Sequence, residues 1–448
     1  MKTRITACAL AAAALIVSAC NSSQQGEKGQ KADQPANPPS QSQPGGQPAA
    51  PEPPPVKPVT VRLYNYGALN QEMIENLFVQ PMKKKYPHLT LQVVERSAMP
   101  IETLAIGGNE VDIITGWGSL LDQFANFELL ADLNPMIKTH GIDLNRFETT
   151  NLEGVKLQSA TIKPGGLFGL PFGYNFYATF YNKDIFDKFG VSYPPDGMTW
   201  DDAIELAKKL TRMEAGVQYK GLDPEGIEKV GNALSLPYVD PVTFKAAADT
   251  EGWRRVFELV KRINDIPGNS FQITNHAGTV NRFVKDKNVA MLAAPEVLNS
   301  MSNVDFEWDI AEYPSFPERP HISGMVQTYV LQVATNSKHP EEAMQVIALA
   351  TSDEVQTVLS RSGFMISALK SEEINKQFGA DHPLLKNKNI GAILKTKPAE
   401  YVVQTRFTRA RSILEAKYKD YAAGNKDLAT ALREAQEEID AYIASETR

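Results

Sequence analysis

The sequence predicts an α/β protein with two lobes, and three observations carry that prediction. A strand, helix, strand, helix, strand order opens the body, the pattern of a sheet covered by helices. The body is long: residues 59–448 remain once an apolar leader and a proline-rich stretch are set aside, which favours two cores over one. Both cysteines, Cys8 and Cys20, fall within the first 20 residues, so the body holds together without disulfides.

Residues 1–20 read as an export signal. Lys2 and Arg4 make a positive start, and Ile5 to Val17 is an apolar run too short to span a bilayer. Val17-Ser18-Ala19 then places small residues before Cys20. This resembles the lipobox of bacterial lipoproteins, in which the cysteine thiol takes a diacylglycerol and becomes the new N-terminus. Lipidation at Cys20 is therefore expected, with the body held at the outer face of the cytoplasmic membrane, on a cell surface or in a periplasm. The alternative is an ordinary secretory signal with a chance cysteine at its end. Residues 21–58 carry ten of the 29 prolines together with Gln, Ser, Gly and Ala. Such a stretch cannot bury enough apolar surface to offset chain ordering, so a disordered tether is expected. At about 3.1 Å per residue it reaches roughly 120 Å at most.

The body then begins. Val59, Val61 and Leu63 alternate with Thr60, Arg62 and Tyr64, the period of a strand. A helix is expected from about Asn70 to Tyr86, with Met73, Leu77, Met82 and Tyr86 apolar and Pro87 stopping it. Leu89, Leu91 and Val93 alternate again, and Val111 to Ile114 is a short apolar run. Thr199 caps an expected helix over Trp200–Met213, whose inner face is Ala203, Leu206, Ala207 and Leu210. Pro340, with Glu341 and Glu342 in the first turn, opens another, striped by Ala343, Val346, Ile347 and Ala350. The last is expected from about Asp427 to Ala444, with Leu428, Ala431, Leu432, Ala435, Ile439 and Tyr442 on one side. There is no internal repeat.

Charge and motifs exclude several classes. The chain carries a formal −7; Lys2 and Arg4 belong to the signal and the tether is balanced, so the body carries −9. An acidic body argues against a nucleic-acid partner and against adhesion to anionic lipid. No later stretch has 18 consecutive apolar residues, so the expected membrane contact is the N-terminal lipid alone. The six histidines are scattered without an HExxH, so no metal site is expected, and no cofactor motif appears. There is no G-x-S-x-G elbow and no G-x-x-x-x-G-K-[ST] loop. Enzymatic activity is not expected, although carboxylates distant in sequence could still form a glycosidase pair.

A specific resemblance appears at Gly169-Leu170-Pro171-Phe172, followed by Tyr177-Ala178-Thr179-Phe180-Tyr181-Asn182-Lys183. It continues through Asp184-Ile185-Phe186, Thr199-Trp200-Asp201, Val289-Ala290-Met291, Phe306-Glu307-Trp308-Asp309-Ile310 and Lys338-His339-Pro340-Glu341-Glu342. These phrases, in this order, resemble the bacterial extracellular solute-binding protein family 1. The resemblance implies a type II periplasmic-binding-protein fold: two α/β lobes, joined by crossing hinge strands, that close on a ligand. It implies a first lobe of 59–172 plus 288–350 and a second of 173–287 plus 351–448. The implied function is capture of a solute, above all a sugar or oligosaccharide, and delivery to ABC permease subunits by a monomer. A module presenting ligand to a sensor and a surface glycan hydrolase are the other readings.

Candidate ligand residues follow from sugar chemistry, in which aromatic faces meet CH patches and polar side chains meet hydroxyls. Ligands in open α/β sheets sit beyond the carboxyl ends of strands. Tyr66 follows the first strand, and Trp117 lies between two glycines after the third. Tyr174, Asn175 and Tyr177 sit in the implied hinge crossing, with Tyr177 also readable as a core ring. Glu296 follows the Val289–Ala293 strand, in a phrase that lacks the aromatic residue seen in relatives. Gln327 and Tyr329 complete the set. Trp200, Trp253 and Trp308 read as packing residues.

Overall fold

A computed structural model describes residues 57–272 and 275–447. The signal, Cys20 and the tether up to Val56 lie outside the described residues. No helix among those described is long and apolar enough to cross a membrane.

Eleven strands among the described residues form two sheets. They are β1 (Val59–Asn65), β2 (Leu89–Glu95), β3 (Ile113–Trp117), β4 (Leu170–Tyr174), β5 (Tyr177–Asn182) and β6 (Arg212–Glu214), then β7 (Val217–Asp223), β8 (Val289–Pro295), β9 (Trp308–Ala311), β10 (Thr328–Val333) and β11 (Ile366–Ser367). The first sheet has the order β11-β4-β10-β3-β1-β2, the second β6-β7-β8-β5-β9. Each sheet has its own apolar core. Leu63, Ile113, Phe124, Phe172, Val330 and Leu359 belong to the first; Phe180, Trp200, Leu222, Trp253, Leu292 and Tyr418 belong to the second. The molecule is a two-lobe α/β protein.

Sheet membership corrects the expected lobe limits. Residues 288–350 do not form one first-lobe segment, because β8 pairs with β5 from Tyr177↔Pro295 to Tyr181↔Met291 and β9 pairs with β5 on its other side. The chain returns to the first lobe only at β10. Residues 351–374 then stay there, because β11 pairs with β4 and Val355, Leu359 and Ile374 join the first core.

Local chemistry explains where elements start and stop. Asn70 caps the first helix by accepting from the Met73 N–H. Its middle, Glu75–Val79, widens into a π turn just before Pro81. Proline lacks the N–H that the Leu77 carbonyl would accept, and a widened turn relieves that mismatch. The helix at Trp200 has a full capping box between Thr199 and Asp202 and ends at Leu210, three residues short of the expected Met213. Ala215 and Gly216, both with positive φ, turn Arg212–Glu214 back as a hairpin strand onto β7. The last helix spans Leu428–Glu446, capped by Asp427.

One irregular segment, residues 396–406, joins the lobes as a strap. On the second lobe, the Lys397 N–H donates to the His321 carbonyl at 2.8 Å, and Glu400 pairs with Arg319. On the first lobe it lies along the helix Thr149–Ile162. Gln158, fully buried there, accepts from the Tyr401 hydroxyl at 2.9 Å and from the Gln404 N–H at 3.0 Å. Its amide nitrogen donates to the Gln404 carbonyl at 3.0 Å and to Asp122 at 2.9 Å.

Candidate functional site

Strand direction brings one edge of each sheet together. β1, β3 and β4 run the same way, with β10 antiparallel between β3 and β4. Tyr66, Trp117, Tyr174 and the start of β10 therefore share an edge. In the second sheet β7 and β8 are parallel and β5 opposes β8, which puts Asp223, Pro295 and Tyr177 on one edge. Only Asn175 and Phe176 separate β4 from β5, so the two edges meet at a cleft.

The first lobe lines this cleft with rings. Tyr329 stands opposite Trp117 in the antiparallel ladder, with centroids 6.1 Å apart. Tyr66 meets Trp117 edge-on at 6.3 Å and Phe124 at 5.4 Å, and its hydroxyl donates to Gln123 Oε1 at 3.2 Å. The Arg96 guanidinium lies 4.1 Å from the Tyr66 centroid, a cation–π contact that covers one ring face. Tyr66 is buried, whereas Trp117 and Tyr329 are partly exposed. Tyr66 therefore backs the wall that the other two rings present.

The second lobe answers with polar groups. The Glu296 N–H donates to the Phe176 carbonyl at 2.9 Å, which fixes the residue beside the crossing. Burial raises the pKa of its carboxyl, opposed by the Asn299 and Leu298 amides and by His276. Burial also raises the Tyr329 hydroxyl, and nearby Glu296 adds to that rise. Glu225, after β7, has a left-handed backbone with φ 60° and a side chain only 2 % exposed. One of its oxygens lies 2.9 Å from His276 Nδ1; the other has no hydrogen-bond partner among the described residues. Non-glycine strain of this kind costs of order 1–3 kcal/mol and collects at functional sites. Next comes Glu228, between Lys229 Nζ at 3.3 Å and Arg411 Nη1 at 3.4 Å. Burial opposes its ionisation, yet the two cations outweigh burial and hold its carboxyl below the usual range.

Between the lobes is a cavity of about 310 Å³, lined by Ser119, Asn232, Tyr238, Gln327, Gln404 and Arg411 among others. That volume falls within the range of small-molecule sites. Gln327 Oε1 accepts from Ser119 Oγ at 3.2 Å. Hydroxyl, amide and guanidinium groups in this number suit a ligand rich in hydroxyls.

The eight sequence candidates separate by role. Trp117, Tyr329 and Tyr66 build the aromatic wall, Glu296 stands near Tyr329, and Gln327 lines the cavity. Asn175 is committed to the crossing: its Oδ1 accepts from the Gln327 N–H at 2.7 Å, and its own N–H donates to the Gln327 carbonyl at 3.2 Å. Tyr174 and Tyr177 are buried in the second lobe's core. Tyr177 packs edge-on against Tyr313 at 5.2 Å, under Gly324, where a Cβ would come within 2.6 Å of its ring. Sequence reading missed Ser119, Glu225, Glu228, Asn232, Tyr238, Gln404 and Arg411. Glu228 and Asn232 come from one short helix, Ile227–Asn232, Gln404 from the strap, and Arg411 from the helix Arg409–Ala422; none of these segments carries a motif. Among the described residues no group of three or more His, Cys, Asp or Glu side chains could hold a metal ion.

Comparisons with known proteins agree on the fold. Residues 65–357 match the family model described as Bacterial extracellular solute-binding protein. An ABC substrate-binding protein from Listeria monocytogenes, in complex with cycloalternan, superposes with a TM-score of 0.68 at 16 % identity. The match covers 87 % of this chain and 100 % of that one. A sugar transporter from Rhizobium etli, in an open conformation, gives a TM-score of 0.68 at 21 % identity, covering 86 % of this chain and 99 % of that one. A sugar-binding protein from Xanthomonas citri gives 0.66 at 17 % identity, covering 87 % and 98 %. At such identities the shared fold is established, and the solute must be argued from the site.

Proposed function

The chain belongs to the bacterial extracellular solute-binding protein family, and on that premise we propose that it is the lipid-anchored receptor of an ABC importer for a sugar or short oligosaccharide. The observation that carries the carbohydrate reading is the composition of the cleft. The partly exposed rings of Trp117 and Tyr329 stand on one side, and Glu228, Asn232, Gln404 and Arg411 surround the adjoining cavity. A pyranose needs both surfaces, since each polar group buried without a partner would cost about 1–3 kcal/mol. Capture follows from the crossings: Asn175–Phe176 and the segment before β10 are the narrow links about which the lobes close. The captured solute is then delivered, unchanged, to permease subunits.

The test is a thermal-shift and calorimetric screen of the purified protein against mono- and oligosaccharides. One saccharide should bind at 1:1 and be recovered intact. At 100 times Kd the native state gains about 2.7 kcal/mol, a rise of a few degrees in Tm. A panel in which no saccharide binds, or one that is chemically converted, overturns the reading. Anchoring has its own test. Cys20→Ser should move the protein from the membrane fraction to the soluble fraction, and the native N-terminal peptide should carry a diacylglyceryl mass. If fractionation is unchanged, Cys20 is not the anchor.

A further inference from the structure

The 310 Å³ cavity does not end the groove between the lobes. A second groove of about 420 Å³ adjoins it, and the two share Val403, Gln404 and Thr405 of the strap. Asn126 and Thr161 of the first lobe form one wall of this outer groove, and Phe244 of the second lobe stands on the other, with Arg406 between them.

Phe244 is held there by a built loop. Asp240 Oδ1 accepts from the Val242 N–H at 2.9 Å and the Thr243 N–H at 2.7 Å. The Phe244 N–H donates to the Asp240 carbonyl at 2.9 Å, the Asp240 N–H donates to the Lys245 carbonyl at 2.8 Å, and Val239 bridges to Ala246. Within this frame Phe244 adopts φ 53°, a conformation unfavourable for a non-glycine residue. The ring is nevertheless 52 % exposed, touching Phe407 edge-on at 6.0 Å. Phe407 is buried and lines the inner cavity, so one aromatic pair spans both compartments. The contact with Phe407 covers only part of the ring, so a strained, hydrogen-bonded loop holds a half-exposed apolar surface over the groove, open to a ligand. Facing it, the Asn126 and Arg406 side chains are exposed and form no hydrogen bond or ion pair among the described residues.

We propose that the outer groove is a second carbohydrate subsite, in which the Phe244 ring stacks on the apolar face of a pyranose and Asn126 and Arg406 bind its hydroxyls. The solute is then an oligosaccharide. Part of it fills the inner cavity, and the chain passes along Val403–Thr405 to lay a further unit on Phe244. This subsite rests on the carbohydrate reading above, and the experiment separates the two.

Calorimetry on the full chain would use gluco- and manno-oligosaccharides of one to four units, for the native protein and for Phe244→Ala. Native affinity should rise at least tenfold once the chain is long enough to leave the inner cavity. Phe244→Ala should abolish that rise and leave the affinity of the shorter saccharides unchanged. Phe244→Asn, whose side chain tolerates a left-handed backbone, should behave the same way and guards against a folding defect. The subsite is overturned if a monosaccharide binds as tightly as a tetrasaccharide, or if both variants weaken every length equally or none. If no saccharide binds the native protein, the carbohydrate reading itself fails, and the subsite with it.

Discussion

At the residue scale, two positions in the cleft give opposite expectations. Trp117 is partly exposed between Tyr66 and Tyr329, so its ring is available to a ligand while the strand beneath it is secured by β1 and β10. Trp117→Ala should weaken saccharide binding by about 10- to 100-fold, roughly 1.4–2.8 kcal/mol, with the native circular dichroism spectrum retained. Normal binding by the variant would make the ring structural. Glu296 is a matter of pH. Burial raises its pKa above the unfolded value, so the folded protein keeps a proton that the unfolded chain has already released. The group's contribution to stability therefore falls as pH rises from the ordinary carboxylate value, about 4.3, through the raised folded value. Glu296→Gln should be stabilised relative to the native protein at neutral pH, and this advantage should vanish below the carboxylate range. Urea titrations at both pH values check this; a difference independent of pH would mean that Glu296 does not titrate as its burial requires. Trp117 and Glu296 were legible because each follows an apolar strand directly. Glu225 and Arg411 were not, because their importance comes from partners far away in the chain.

At the element scale, the strap and its docking helix show where pattern reading stops. The helix Thr149–Ile162 buries Asn151, Gly154, Gln158 and Ser159 along with Leu152 and Val155, so its inner face is half polar and no apolar stripe announces it. That polar face exists because it receives irregular backbone, whose N–H and C=O groups must be satisfied by side chains. Gln158 does most of this. Replacing it by leucine would leave the Tyr401 hydroxyl and both backbone groups of Gln404 without these partners, at about 1–3 kcal/mol for each group that stays buried. Gln158→Leu should lower stability by that order and speed amide hydrogen exchange across residues 401–406, with the central strands of both sheets still protected. Uniform acceleration throughout the protein would instead mean that the strap has no independent stability. By contrast, β1, β2 and the capped helices at Trp200 and Asp427 could be read from period and capping chemistry alone, since those signals lie within a few residues of one another.

At the scale of the whole molecule, the sequence reading found two lobes but divided them at the wrong places. β8 and β9 are apolar runs that would suit either sheet, and nothing local in a buried strand names its partner. The pairing with β5 is what assigns them. The lobes so defined are linked by the crossings and by the strap, which is fastened to the first lobe at Gln158 and to the second at Lys397. Because Val402–Thr405 also wall the inner cavity, wide separation of the lobes requires the strap to leave one of its two seats. A covalent lock tests this consequence. An ideal Cβ on Gly154 would lie 3.0 Å from Tyr401 Cβ, a separation that must open by about 0.5–0.8 Å to reach the usual disulfide spacing, and Tyr401→Cys removes the ring that otherwise fills the gap. The body has no cysteine of its own, so the pair Gly154→Cys and Tyr401→Cys has no competing thiol there. In the oxidised double variant, saccharide association should slow by about tenfold or more, and reduction should restore the rate of the same protein. Equal rates in the two redox states would show that solute reaches the cleft with the strap seated, and that the lobes move about the crossings alone.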